Sequence, residues 1–331
     1  MFAVSATRTD ATSPLDGMRC GDQAEPSVPH GWALVTVRAA ALNHHDLWTL
    51  RGVGVKTQRL PVILGTDAAG VDEEGNAVVV HAVIGDPAAG HGDETLDPQR
   101  VILSEGCDGT FAERLTVPRR NLLPMPAGFS FAEAACLPGA WLTAFRMLFD
   151  KACLLPGSTV LVQGAGGGVT TALIALGAAA GYRVWVTGRS DDKRERALKL
   201  GADATFAVGE RLPELADAVM ETVGEATWAH SLQSLRPGGR VVVAGATSGQ
   251  FPAAQLDRLS SQQFSILGCT MGTRQQLAQL IRFCEHSGIR PVIDRVLPLQ
   301  AARDGLAALA AGELFGKLVF TVDNGSSADY N

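Results

Sequence analysis

Between Val160 and Val169 the chain reads Val-Leu-Val-Gln-Gly-Ala-Gly-Gly-Gly-Val, a short apolar run entering a glycine-rich turn that opens a helical run. A turn without side chains lets backbone approach a pyrophosphate, and the free N–H groups at a helix N-terminus favour its charge. Gly164, Ala165, Gly166, Gly167, Gly168 and Val169 are therefore candidate phosphate contacts. The register is imperfect. A G-x-G-x-x-G spacing counted from Gly164 puts Val169 in the third place, and the looser G-x-x-G-x-x-G puts Thr170 there. A glycine turn that serves only the chain reversal is the alternative.

Nucleotide choice is read where the following strand ends, because an acidic residue there would hydrogen-bond the ribose hydroxyls of NAD(H). This chain places Gly188 at that point, followed by Arg189, Ser190 and, one turn on, Lys193. Two cations and a hydroxyl suit a 2′-phosphate, so NADP(H) is the expected cofactor. The alternative is a solvated helix start in which Asp191 and Asp192 act as anions at the N-terminus. Thr222, Val223 and Gly224, with Ala246 and Thr247, follow further strands and are expected at the same C-terminal ends. Met271 and Lys317 are added to the cofactor-contacting set, although core packing explains Val223 and Met271 equally well.

These residues need a wound sheet to hold them, and the pattern of the chain supplies one. Ser158 to Gln163, Arg183 to Thr187, Ala218 to Thr222, Arg240 to Gly245 and Phe264 to Cys269 read as short strands. They alternate with helical runs at Thr170 to Ala180, Asp191 to Leu200, Thr227 to Leu235 and Arg274 to His286. Such alternation implies a parallel, doubly wound α/β sheet. Upstream, Ser130 is a candidate cap for a helix through Leu137, and a second helical run covers Trp141 to Lys151. Before Pro126 the texture differs. Gly31 to Ala41 reads as a strand leading into a short helix over Leu42 to Leu50, and short apolar runs between Gly-, Pro- and Asp-rich turns suggest a small β-rich domain. The tail from Val292 to Val322 holds a strand, a helix around Ala301 to Ala311 and a last strand, Lys317 to Val322. The polar end, Asp323 to Asn331, is expected to fray.

Size and composition agree with two packed domains: 331 residues, 46% hydrophobic and 19% charged, with 37 Gly and 2 Tyr. A formal net charge of −6 without a Lys/Arg block argues against nucleic-acid binding. The run Val169 to Val186 is apolar, but Thr170, Thr171, Gly181 and Arg183 split it into a buried helix and a buried strand rather than a membrane span. Met1 to Asp10 lacks the order of a secretory signal. Six scattered cysteines without a C-x-x-C pair read as free thiols of a reducing compartment, so a cytoplasmic location is expected.

Six motifs in order carry a family resemblance. They are Ala41-Leu42-Asn43-His44-His45-Asp46-Leu47-Trp48, Leu64-Gly65-Thr66-Asp67-Ala68-Ala69-Gly70, Gly109-Thr110-Phe111-Ala112-Glu113, Leu137-Pro138-Gly139-Ala140-Trp141-Leu142-Thr143-Ala144, Glu221-Thr222-Val223-Gly224 and Gly316-Lys317-Leu318-Val319. Over nearly its whole length the chain resembles the medium-chain dehydrogenase/reductases, especially their zinc-free, quinone oxidoreductase-like members. The resemblance implies a GroES-like β-rich catalytic domain, residues 1–125 completed by 290–331, and a Rossmann domain, 126–289, with the active site in the cleft. It implies a homodimer or homotetramer formed through an edge strand, here Phe264 to Cys269.

Zinc-dependent relatives place a Cys where this chain has Asn43, a His where it has Thr66 and a third ligand where it has Gly139. The lobe that carries their structural zinc holds only Cys107 here, and adjacent His44 and His45 on a helix point to different faces. No metal is expected. Without a Lewis acid, the resemblance points to NADPH-dependent hydride transfer to a small-molecule electron acceptor, a quinone or an α,β-unsaturated carbonyl. Asn43 and Thr66 are the expected hydrogen-bond donors, Asp46 the residue that orients the site or relays a proton, and Thr143 a neighbour of the nicotinamide. Each has a plainer role: Asn43 and Asp46 can brace a helix start, and Thr66 and Asp67 can satisfy backbone in a turn. The other functions considered are a zinc-independent alcohol or aldehyde reductase and a non-catalytic NADPH-binding regulator.

Overall fold

A computed structural model describes residues 1–322, so the expected frayed end, Asp323 to Asn331, lies outside the described residues. The chain forms two compact units. Among the described residues, one comprises Met1–Gly139, Thr273–Glu285 and 293–322; the other comprises Ala140–Gly272 and His286–Val292.

In the first unit the long strand Trp32–Ala41 is central. Its alternation buries Ala33, Val35, Val37 and Ala39 on one face, as a half-buried strand requires. It pairs antiparallel with Asp67–Asp72, Arg114–Pro118 and Lys317–Thr321. The last of these brings the C-terminal segment home, as expected, with Val319 opposite Ala41. Leu42 N donates to Leu318 O at 2.9 Å, so the start of that terminal strand is delivered to the corner where Trp32–Ala41 hands over to the helix His44–Leu50. Phe111 and Phe320 close the core beneath this corner edge to face, 5.2 Å apart.

The boundaries differ from those read in the sequence. Residues 126–139 and Thr273–Glu285 belong with the first unit rather than with the wound sheet. The physical reason is local. The helix Phe131–Ala135, started by a capping box between Ser130 and Glu133, lies against Trp32–Ala41 and Asp67–Asp72. Ala127 N donates to Glu285 Oε1 and Arg274 N to Glu94 Oε1, which ties the helix Arg274–Ser287 to the same unit. The helical run read over Trp141 to Lys151 is divided, with π-type turns at Leu137–Trp141 and Met147–Ala152 on either side of Leu142–Arg146.

The second unit is a six-stranded, wholly parallel sheet in the order Ala204–Phe206, Arg183–Thr187, Thr159–Gln163, Ala216–Glu221, Leu235–Val243, Ser265–Gly268. The first strand in sequence lies in the middle and the chain winds outward both ways, so the turn after Gln163 sits at the switch point where open sheets bind ligands. The strand Thr159–Gln163 is buried throughout, and so is most of the helix Gly168–Ala179 behind it. No helix among the described residues is long and apolar enough to cross a membrane.

Candidate active site

The second unit carries the nucleotide half. Its helix starts at Gly168, with Gly167 as the extended residue before it and no side chain capping the end. The N–H groups of the first turn are thus left for an incoming anion. Gly164 has φ +93°, a left-handed conformation that L side chains rarely adopt, and it brings the turn against Val223. The imperfect third place of the fingerprint is compensated elsewhere. Gly177, two turns into the helix, supplies the close helix-to-strand approach, because a Cβ there would lie 2.8 Å from Val184 Cγ2.

Buried polar side chains lock the neighbouring loops. Gln163 Oε1 accepts from Thr187 Oγ1 (2.6 Å), Gln163 Nε2 reaches Ser231 Oγ (3.0 Å), and Thr222 Oγ1 donates to Gln163 O (3.2 Å). The fully buried Glu221 carboxylate accepts from the N–H groups of Val223 and Gly224 and from the hydroxyls of Thr227 and Ser231. Ser248 and Thr247 donate to Val223 O. These bonds bring Gly164 to Val169, Thr222 to Gly224 and Ala246 to Thr247 together at one end of the sheet. Neither Gln163 nor Glu221 was among the candidate site residues, since a polar residue at a strand end carries no signal of its partners.

Gly188 packs against Ala165, with Arg189 and Ser190 exposed beside it. Ser190 Oγ accepts from Lys193 N at 3.4 Å, so part of its hydroxyl serves as a helix cap, the plainer role. Arg194, absent from the expected set, clamps this strand end by donating to Gly188 O (2.6 Å) and pairing with Asp191. Thr143 and Met271 meet through Cys269, whose thiol lies 3.8 Å from Thr143 O and 4.0 Å from Met271 O.

In the first unit the expected donors meet one another. Asn43 and Thr66 turn their donors inward. Asn43 Nδ2 donates to Thr66 Oγ1 (3.1 Å) and Ala41 O (3.4 Å), while Thr66 Oγ1 donates to Asp67 Oδ1 (2.9 Å). Lys317, expected among the cofactor contacts, is 2% exposed and donates to Leu42 O (2.7 Å) and Asn43 Oδ1 (2.6 Å), with Asp67 Oδ2 3.5 Å away. Lys317, Asn43, Thr66 and Asp67 therefore form a closed ring. The terminal strand delivers the lysine to it, and the ring occupies the space beside Gly139. A Cβ at Gly139 would lie 2.4 Å from Asp67 Oδ1.

Asp46 braces this corner. Its carboxylate is fully buried and accepts from Asn43 N (2.8 Å) and Gly65 N (3.0 Å), so both oxygens are engaged on backbone, the plainer role of bracing the helix start. Burial raises its pKa to about 6, against the opposing influence of His45 and the Asn43 N–H. The two histidines diverge as adjacent helical residues should. His45 Nε2 pairs with Glu105 Oε1 at 2.8 Å; burial alone would depress it, but this bond and the carboxylates of Asp46, Glu105 and Asp67 prevail and raise it. His44 is held low by the protein atoms crowding it and by the cations Lys317 and Arg51.

Residues 29–127 match the family model described as an alcohol dehydrogenase GroES-like domain, and residues 168–286 match that of a zinc-binding dehydrogenase. A zinc-type alcohol dehydrogenase-like protein of Schizosaccharomyces pombe is 30% identical over 318 residues, 88% of this chain and 91% of the relative. An acryloyl-coenzyme A reductase of Metallosphaera sedula is 29% identical over 316 residues, 90% and 94% of the two chains. A solved NAD-dependent alcohol dehydrogenase superposes with a TM-score of 0.89 at 33% identity, covering 98% of this chain and 100% of that one. The chain belongs to the medium-chain dehydrogenase/reductase superfamily, a family of oxidoreductases.

The zinc in that family description does not fit the residues present. An amide, a hydroxyl and a glycine stand at the expected ligand positions, and the ring of Lys317 and Asp67 fills the space between them. In the lobe from 85 to 109, Asp93 accepts from Thr95 N and Asp97 from Asp86 N and Gln99 N, so these carboxylates brace backbone. Burial and the neighbouring Asp108 push the Cys107 thiol up to about 12. No cluster of three or more His, Cys, Asp or Glu able to hold a metal occurs among the described residues. The nucleotide half does fit its group: an uncapped twelve-residue helix behind a glycine turn is a cradle for a diphosphate.

Proposed function

We propose that this protein is an NADPH-dependent, zinc-independent reductase that delivers hydride to a quinone or an α,β-unsaturated carbonyl compound. The closed ring of Lys317, Asn43, Thr66 and Asp67 carries the reading, because it spends on itself the groups that would hold a metal or polarise a saturated carbonyl. Acceptors with a low-lying empty orbital need the least polarisation, so chemistry that relies on positioning suits them best. A bound nicotinamide would supply the hydride, destined for the β-carbon of an enone, and water would supply the proton for the α-carbon. A relative named for reducing acryloyl-coenzyme A, whose acyl group is α,β-unsaturated, supports this class. Gly164 to Val169 would hold the diphosphate, Arg189, Ser190 and Lys193 the 2′-phosphate, and Thr143 and Met271 the nicotinamide side.

A second reading, a zinc-independent alcohol or aldehyde reductase, draws on the likeness to a solved alcohol dehydrogenase. The test is an acceptor panel of quinones, enones, enoyl thioesters and saturated aldehydes, followed by the absorbance of NADPH and of NADH. Turnover of the first three classes with NADPH supports the proposal. Turnover of saturated aldehydes alone favours the second reading, and tight NADPH binding without oxidation by any acceptor identifies a non-catalytic binder. The protein is further proposed to work in the cytoplasm, on the strength of its free cysteines. It is proposed to assemble as a homodimer or homotetramer through the edge strand Ser265–Gly268, which exposes Ile266. Light scattering before and after Ile266→Lys tests the interface.

A further inference from the structure

We propose that the Lys317 ammonium is a tethered substitute for a bound cation: it fills, and closes to metal ions, a cation site built from the Leu42 carbonyl, the Asn43 side-chain oxygen and the Asp67 carboxylate. The inference goes beyond the proposed activity and rests on the first unit alone.

Three oxygens of three chemical kinds converge on one nitrogen, at 2.7, 2.6 and 3.5 Å. A backbone carbonyl, an amide oxygen and a carboxylate are the donor set of a hard-cation site. The setting is dry, since Asp67 and Thr66 are fully buried and Lys317 is 2% exposed. A carboxylate in such a place needs a counter-charge close by, because removing one partner of a buried pair leaves the other uncompensated. Asp67 Oδ2 accepts no hydrogen bond, so the ammonium meets its need as a charge at 3.5 Å.

The rest of the ring follows from that charge. Lys317 donates to Asn43 Oδ1, which fixes the amide so that Nδ2 faces Thr66, and Thr66 passes its hydrogen to Asp67 Oδ1. Each link has a defined donor and acceptor, and the cycle closes on the lysine. A divalent ion entering here would meet a fixed positive charge within contact distance and a carboxylate already neutralised. Lys317 is thus the residue that selects against metal.

The test uses the full-length Lys317→Ala variant, which empties the ammonium position and leaves the oxygens. Thermal unfolding is followed with methylammonium chloride, with sodium chloride at equal ionic strength, and with manganese(II). The wild type and Lys317→Ala/Asp67→Asn serve as controls. The proposal expects methylammonium and manganese(II) each to raise the melting temperature of Lys317→Ala by several degrees over sodium chloride, as ligands that bind only the folded state do. It expects no such rise in either control. Manganese(II) should also give a bound electron paramagnetic resonance signal in Lys317→Ala that both controls lack. Indifference of Lys317→Ala to both cations overturns the proposal, as does an equal response in the double variant. Should Lys317→Ala be recovered unfolded, Lys317→Met/Asp67→Asn decides the matter. Folding of that neutral pair supports a charge role, and its failure to fold assigns Lys317 to packing instead.

Discussion

Gly139→Ala is the smallest change that tests whether the buried ring is as rigid as its bonds require. The backbone at Gly139 has no left-handed φ, so any residue can adopt its conformation and the constraint is space alone. A Cβ would lie 2.4 Å from Asp67 Oδ1, 2.7 Å from Oδ2 and 2.9 Å from Cγ, so the carboxylate must move. It has nowhere cheap to go. Oδ1 accepts from Thr66, Oδ2 faces Lys317, and the Asp67 carbonyl is held by Thr110 Oγ1 at 3.0 Å. Losing a hydrogen bond to a charged group costs about 1.5–3 kcal/mol, and overpacking a core adds about 1–3 kcal/mol. Alanine in place of glycine in a helical turn returns about 1 kcal/mol. The net expectation is a loss of about 1.5–5 kcal/mol, which for a unit of this size lowers the melting temperature by roughly 3–20 °C. Calorimetry of Gly139→Ala, Asp67→Ala and the double variant measures it. In the Asp67→Ala background the atoms that clash are gone, so the alanine should cost less than about 1 kcal/mol. A Gly139→Ala protein that melts at or above the wild type, or the same cost in both backgrounds, refutes the reasoning.

Three further outcomes are expected. Asp46 has a folded pKa of about 6 against an ordinary 3.8, so its contribution to stability is present below the lower value and is lost as pH rises through the upper one. Asp46→Asn should lower stability by about 1–3 kcal/mol below about pH 4, because one of two backbone N–H groups loses its acceptor, and should flatten the decline between about pH 4 and 6, so that the two proteins converge as pH rises; urea midpoints across pH measure both. Arg189→Ala/Lys193→Ala should weaken NADPH binding at least tenfold, about 1.4 kcal/mol, and leave NADH unchanged; titration calorimetry separates the two, and equal loss for both coenzymes refutes the 2′-phosphate assignment. Glu221→Gln sets an amide against the donors that hold the Val223 to Gly224 turn. Hydrogen exchange at those amides should then accelerate and NADPH affinity fall, with the core of the sheet still protected.

What could be read in the chain and what could not divide along the reach of the interactions. The strand, glycine turn and helix from Thr159 to Ala179 are set by neighbours in sequence: buried β-branched residues, then a turn free of side chains, then an apolar helix, so their pattern is visible in a window of twenty residues. The same holds for the cap at Ser130, whose partner Glu133 lies three residues on. The corner around Asn43 is different. Its lysine arrives from 274 positions away and its carboxylate from the start of another strand, and neither residue type announces a partner at that distance. Asn43 and Thr66, read one at a time, are free donors; only the antiparallel pairing of Lys317–Thr321 with Trp32–Ala41 turns them into links of a closed ring. Gly139 carries the same lesson in reverse. Its lack of a side chain reads as a missing ligand in the sequence, and in the folded unit it is the room that Asp67 needs. The domain edges moved for the same cause, since Ala127 to Glu285 and Arg274 to Glu94 are bonds between distant segments that override the local alternation of strand and helix. Chemistry confined to one turn of chain is therefore legible before folding, whereas a buried charge acquires its role only from the sheet that brings its partner to it.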